Sequence, residues 1–192
     1  MVDGRSLDIA GPGEAAPPPP GPSEPAANPG ATATGGRVLR KDADTAGWAE
    51  VAWPEQPIRF KVPADWKQLS LIRREAEFRP EDRSAYFVAN ATFFDQKIPY
   101  ESLFTSMLQK LANQLERGEI LGYARKDLGR AQGFLELQQR GDGQTTAVWT
   151  GYFDDEKYGT VSLTVLLGAP TPAEFDKAEP VLGAILETIQ VR

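Results

Sequence analysis

The chain has 192 residues, 41% of them hydrophobic and 25% charged, with a formal net charge of −6. That is material for one domain with an ordinary core and a spare segment. It contains no histidine and no cysteine, which excludes thiol nucleophiles, disulfides, Cys/His zinc centres, iron–sulfur clusters, histidine-ligated haem and every scheme built on an imidazole base.

Composition breaks near residue 37. Residues 1–36 hold eight of the 16 prolines and seven of the 18 glycines, and no aromatic residue. The run Pro17-Pro18-Pro19-Pro20 favours polyproline II, and its Gly/Ala/Ser surroundings bury too little surface to offset chain entropy. The expected organisation is a disordered Pro-rich tail over 1–36, acting as a spacer, and an α+β domain over 37–192. A PxxP-type ligand over Pro17–Pro22 is the less favoured reading of the tail. The tail has neither a cationic nor an apolar segment of the kind that directs export, and no stretch approaches the 18 or so apolar residues of a membrane helix. The sequence as it stands implies a cytoplasmic protein without an integral membrane segment. An anchor or signal upstream of it would instead place the domain outside the cell or in a membrane-associated complex.

In the domain, Ile58, Phe60 and Val62 alternate with Arg59 and Lys61, the pattern of a half-buried strand ending at Pro63. A second strand runs through Leu69 and Leu71. The charge-dense run Arg73–Arg83 reads as a solvated edge strand and loop. Ser84–Phe94 is a longer strand, with Ala85, Phe87, Ala89, Ala91 and Phe93 on one face. The period then changes: Leu103, Met107, Leu111 and Leu115 recur every four residues, with Phe104 and Leu108 alongside, predicting an amphipathic helix over 100–117 with Gly118 at its C-terminal cap.

A short strand over 119–127 precedes two hairpins. Ala131–Gln139 meets Gln144–Asp154 across Arg140–Gly143, and Gln144–Asp154 meets Lys157–Leu167 across Asp154-Asp155-Glu156. In the last strand Val161, Leu163, Val165 and Leu167 point inward, while Thr160, Ser162 and Thr164 point out, as in an antiparallel sheet covered mainly on one side. Thr171-Pro172-Ala173-Glu174 is a capping box opening a final helix through Phe175, Ala178, Leu182, Ile185 and Ile189, which Pro180 is expected to kink or split.

This order of elements resembles the Mog1p/PsbP-like family, over about Glu55–Val191. The resemblance rests on Phe60-Lys61-Val62-Pro63-Ala64-Asp65-Trp66, the helix after Ile98-Pro99, the Gly151/Gly159 hairpin, and the close from Phe175 through Ile185-Leu186-Glu187-Thr188-Ile189. It implies an αβα sandwich around a central antiparallel sheet. It also implies a non-enzymatic role, since its members include photosystem extrinsic subunits, a Ran-binding nuclear factor and bacterial chaperones of secreted effectors. No family site residue carries over.

Candidate sites are few. Asp154, Asp155 and Glu156 offer carboxylate oxygens suited to Ca²⁺, Mg²⁺ or Mn²⁺, although a solvated hairpin tip is the favoured reading and no metal or other cofactor is expected. Arg73, Arg74 and Arg79 are candidate contacts for a protein partner. So are Trp48 and Trp53, for which a core role is the better reading. The mixed sign of 73–83 and the overall negative charge argue against nucleic acid. Catalytic motifs fail: there is no G-x-S-x-G and no S-x-x-K, and Gly30–Gly36 has phosphate-loop spacing without its lysine. The expected function is a non-catalytic protein-binding or assembly module tethered by its tail. The alternatives are a small-ligand or divalent-metal-binding protein, and a cytoplasmic chaperone for a secreted effector. The tail and the domain each carry −3 (one basic residue against four acidic, and 20 against 23), so the domain is nearly neutral.

Overall fold

The structure, a computed structural model, describes residues 34–141 and 143–192. The expected tail therefore lies outside the described residues up to position 33, and the turn expected at Arg140–Gly143 is described except for residue 142. The described residues begin with β1 (Thr34–Gly36), β2 (Ala49–Ala52), β3 (Ile58–Val62), β4 (Lys67–Ile72), β5 (Glu75–Arg79) and β6 (Tyr86–Phe94). Helix α1 (Glu101–Glu116) follows, then β7 (Ile120–Arg125), β8 (Gln132–Gln139), β9 (Thr145–Asp155) and β10 (Gly159–Gly168). Helix α2 (Pro172–Thr188) and β11 (Gln190–Val191) close the fold. Strand β1 falls just before the compositional break at residue 37.

Eight strands form one antiparallel sheet in the order β1-β7-β8-β9-β10-β6-β5-β4, and β11-β3-β2 form a second. The alternation in β10 sets the division between faces. Val161, Leu163, Val165 and Leu167 are buried, and cross-strand register puts them beside Phe93, Ala91, Ala89 and Phe87 of β6 and beside Phe153, Gly151, Trp149 and Ala147 of β9. This face packs against α2 through Phe175, Leu182 and Ile185, and against the small sheet, whose Phe60 meets Phe78 and Phe87 at ring-centroid distances of 5.7 and 4.9 Å. Helix α1 lies on the opposite face. Phe104 packs edge-on to Phe134 at 5.2 Å, and Tyr100, just ahead of the helix, stacks on Tyr152 at 5.5 Å. Phe134 and Leu135 are successive residues of β8 and belong to the two different cores. The architecture is thus helix, sheet, helix, with the small sheet beside α2.

Four expectations are corrected. The run 73–83 is not an edge: Ala76 and Phe78 alternate with Glu75, Glu77 and Arg79, so β5 buries one face and pairs with both β4 and β6. The edge is β4. On α1 the buried line runs through Phe104 and Leu111, and Leu103 is exposed. Thr160 is buried rather than solvated, because the segment after β6 crosses over it: its hydroxyl donates to Asp154 at 2.9 Å and accepts from the Ile98 amide at 2.8 Å.

The fourth concerns Pro180, around which α2 runs unbroken from Pro172 to Thr188. A proline has no N–H for the carbonyl four residues back, here that of Asp176. The Arg40 guanidinium donates to that carbonyl instead, at 2.6 Å. Residues 37–41 lie as a strap along one line of α2. Glu179, 0% exposed, accepts from Arg37 at 2.6 Å, from Arg40 Nε at 2.9 Å and from the Arg40 amide at 3.1 Å. One turn on, Gly183 lets the strap backbone touch the helix, since a Cβ there would fall inside the Arg40 carbonyl oxygen.

Glu187 ends this line between Lys41 and Lys126, each 2.8 Å away. Burial alone would push its carboxyl up, but the hydrogen bonds and charges of Lys126 and Lys41 outweigh burial and hold it below the usual glutamate range. A carboxyl depressed in the folded state adds stability above its unfolded pKa and loses it as pH falls through the folded value. Glu187→Gln is therefore expected to destabilise the protein at neutral pH, with the difference from the parent shrinking as acid protonates the glutamate. Urea titrations of both proteins across that range check this. A gap that widens in acid contradicts it.

Candidate functional site

The β4–β5 hairpin turns on two residues, Arg73 and Arg74, between the paired Ile72 and Glu75. Neither has the conformational freedom that tight hairpins favour, and the surroundings hold the turn instead. The Arg73 guanidinium lies 4.7 Å from the Phe93 ring centre and 4.6 Å from that of Tyr158, with Glu55 at 3.8 Å. Trp53 Nε1 donates to the Ile72 carbonyl at 2.6 Å, and the Gln56 amide donates to that of Arg73 at 3.2 Å. Arg74 reaches Phe93 at 5.7 Å and has no carboxylate partner among the described residues.

The β9–β10 turn comes to the same end of the sheet. Glu55, Arg130, Asp155, Glu156, Lys157 and Tyr158 line an open hollow of about 400 Å³ there. Lys157 lies 4.7 Å above the Tyr158 ring, and the neighbouring tyrosine holds its ammonium above the usual lysine range. Glu55 adopts a φ of 59°, a left-handed conformation uncommon outside glycine, asparagine and aspartate. It does so in the tight β2–β3 connection, where the Trp53 amide bonds the Ile58 carbonyl at 3.0 Å.

The three acidic residues of this turn are kept apart. Asp154 accepts from Thr160 and lies 3.7 Å from Lys97. Asp155 accepts the amides of Lys157 and Tyr158 at 2.9 and 3.3 Å, with Arg130 at 3.5 Å. Glu156 is exposed on the rim. Among the described residues, no group of three acidic side chains is arranged to hold a metal ion.

Of the five candidate partner residues, Arg73, Arg74 and the buried Trp53 meet at the β4–β5 hairpin. Arg79, at the far end of β5, bonds Glu77 at 2.7 Å and lies 5.7 Å from the Tyr86 ring centre. Trp53, 2% exposed, is a core residue that anchors the end of β4 and cannot serve as a surface contact. Trp48 packs partly buried against the same core.

Sequence reading missed the feature beside the arginines. Leu69 and Ile72 are 58% and 60% exposed, and both lie on β4, which no other strand flanks on its outer side among the described residues. The register shifts between Gln68 and Ser70, so the strand bulges at Leu69. The signal was present as three large apolar residues, Leu69, Leu71 and Ile72, where strict alternation buries one side only. At the opposite end, Trp66, Pro80, Ala85, Ala178 and Val181, rimmed by Lys177 and carboxylates, enclose a second hollow of about 410 Å³.

No helix among the described residues is long and apolar enough to cross a membrane. No protein-family model matches the chain, and no curated protein matches it by sequence. Among solved structures, PsbP (CyanoP) of the cyanobacterium Synechocystis sp. PCC 6803 superposes with a TM-score of 0.51 at 11% identity, over 79% of this chain and 96% of that one. The Ran-binding protein Mog1p of Saccharomyces cerevisiae superposes with a TM-score of 0.40 at 12% identity, over 76% of this chain and 95% of that one. At such identities the likeness concerns fold alone, and the superposition on PsbP agrees with the α+β sandwich around an antiparallel sheet that the resemblance implies.

Proposed function

We propose that this domain is a non-catalytic protein-binding or assembly module, tethered through the segment that precedes it. The observation that carries the reading is the β4 edge. Exposed large apolar side chains are ordinary when scattered, but Leu69 and Ile72 share one short strand whose outer side no strand pairs among the described residues, beside Arg74, which has no acidic partner among them. Such an edge is a template for another chain. The absence of imidazole and thiol from the whole sequence supports binding over catalysis.

The experiment is photocrosslinking in the cell. A crosslinking amino acid is placed in the full chain at Leu69, at Ile72 and, as distant exposed positions, at Lys110 and Gln139. Discrete protein adducts are expected, strongest from positions 69 and 72. No adduct from any of the four positions, together with reproducible turnover on a substrate panel, overturns the reading.

A second reading, small-ligand binding, has the Trp66-walled hollow in its favour, where Trp66, Ala85, Ala178 and Val181 meet Asp82, Glu174 and Lys177.

A further inference from the structure

We infer that the β4 edge takes an extended acidic segment of another protein, added as an antiparallel or parallel ninth strand, and that it does not take a second copy of this chain. The inference rests on the reading of the domain as a protein-binding module and names the chemistry of its partner.

Charge decides between occupants. The edge is basic at both ends, with Lys67 at one and Arg73-Arg74 at the other, and apolar between them through Leu69, Leu71 and Ile72. Pairing β4 antiparallel with a second copy about Ser70 sets Lys67 opposite the other copy's Arg73 at both ends of the ladder. Like charges facing each other across a ladder are destabilising, so the strand is protected against itself. An acidic residue at each end of a partner strand converts the same two positions into attraction. The resident acids do not occupy them firmly. The Lys67–Glu81 pair is solvent-exposed on both sides, and Glu55 stands 3.8 Å from Arg73. Exposed pairs of this kind contribute little and exchange readily.

The edge is also held ready. Bonds from Trp53 and Gln56 fix the carbonyls of Ile72 and Arg73, and the adjoining Phe93 and Tyr158 rings, 4.9 Å apart, together support the Arg73 guanidinium. A strand held in its pairing conformation loses less entropy on binding. The bulge at Leu69 limits indiscriminate pairing and the Ile72 carbonyl already accepts from Trp53, so main-chain bonds with a partner concentrate on Ser70 and Leu71, while exposed Leu69 and Ile72 meet apolar side chains of the incoming strand. This is strand addition with charge-set selectivity.

The test uses the full chain as bait for a phage-displayed library of random nonapeptides, followed by binding measurements on the enriched peptides and by amide hydrogen exchange. Enrichment of sequences with acidic flanks, a β-branched or aromatic centre and no central proline is expected. Ile72→Asp and Arg74→Glu should each weaken the selected peptides by about tenfold. Both positions are exposed, and an unchanged circular dichroism spectrum verifies the fold. Bound peptide should slow exchange of the β4 amides.

Enrichment of basic sequences, no enrichment, or binders indifferent to both substitutions overturns the inference. So does a concentration-dependent dimer that Ile72→Asp abolishes, which would assign the edge to a second copy. If the library fails while in-cell adducts form from other positions, only the edge assignment falls and the module reading stands. Turnover without adducts removes the module reading itself.

Discussion

Gly183→Ala is expected to destabilise the domain by about 2 kcal/mol, although glycine to alanine inside a helix ordinarily gains close to 1 kcal/mol. The reversal has one cause. The new methyl would occupy the place of the Arg40 carbonyl oxygen, and that neighbour is backbone, which cannot swing aside as a long side chain can. The strap must lift from α2, and with it go the ligands of buried Glu179 and the donor that serves the Asp176 carbonyl opposite Pro180. A melting-point drop of about 4–8 °C corresponds to that loss for a domain of this size.

Glu179→Ala attacks the same contact from the helix side. Removing one partner of a buried charged cluster costs about 3 kcal/mol, somewhat relieved here because water can reach the two arginines. The double variant should lose less than the sum, since each change releases the same strap. Thermal melts of the three variants, with hydrogen exchange read at residues 37–41, check the set. A Gly183→Ala protein more stable than its parent would sink the account.

The larger effect belongs to Trp149. Its side chain is fully buried, its Nε1 donates to the Lys126 carbonyl at 2.8 Å, and its ring lies across Gly133 and Gly151, which face each other on β8 and β9. A Cβ at either glycine would come within 2.6 Å of Trp149 Cζ2. The two glycines are thus the floor on which the ring rests. Trp149→Ala is expected to cost about 4 kcal/mol through lost burial and the void left behind. Gly151→Ala should cost about 3 kcal/mol by overpacking.

Combining them is the informative measurement. Without the indole, alanine at position 151 should cost clearly less than it does beneath it, leaving mainly its approach to the Gln132 carbonyl oxygen at 2.5 Å. Urea unfolding of the four proteins of the cycle gives the coupling. Strict additivity would show that the ring does not depend on the glycine floor.

Strands with clean alternation were legible from the sequence within a residue or two. The bounds of β3 coincide with expectation, and β6, β8, β9 and β10 start or end at most two residues from it. The Thr171 cap was legible as well: its hydroxyl accepts from the Glu174 amide at 3.3 Å, and the Glu174 carboxylate accepts from that hydroxyl at 2.7 Å. What escaped was structure whose reason lies elsewhere in the chain. Strands β1 and β11, three and two residues long, owe their existence to pairing with β7 and β3. Pro180 reads locally as a break, and only the distant Arg40 makes it harmless.

The same holds for the candidate site. Arg73 and Arg74 were visible as charges, but the aromatic pair beneath Arg73 depends on Phe93 and Tyr158, each from a different hairpin. Counting charges across 73–83 hid the alternation of Ala76 and Phe78, and with it the fact that β4 rather than β5 is the outer strand.

The strap has a consequence for how the protein is made. Arg37 and Arg40 leave the ribosome well ahead of Glu179, which lies 142 and 139 positions later, and β3 waits for β11 at Gln190–Val191. Contacts of such sequence separation close late and slowly. The nascent chain therefore holds two arginines and the β3 edge uncommitted until Glu179 and β11 have emerged. A shortened C-terminus that spares every strand of the large sheet would still leave it open.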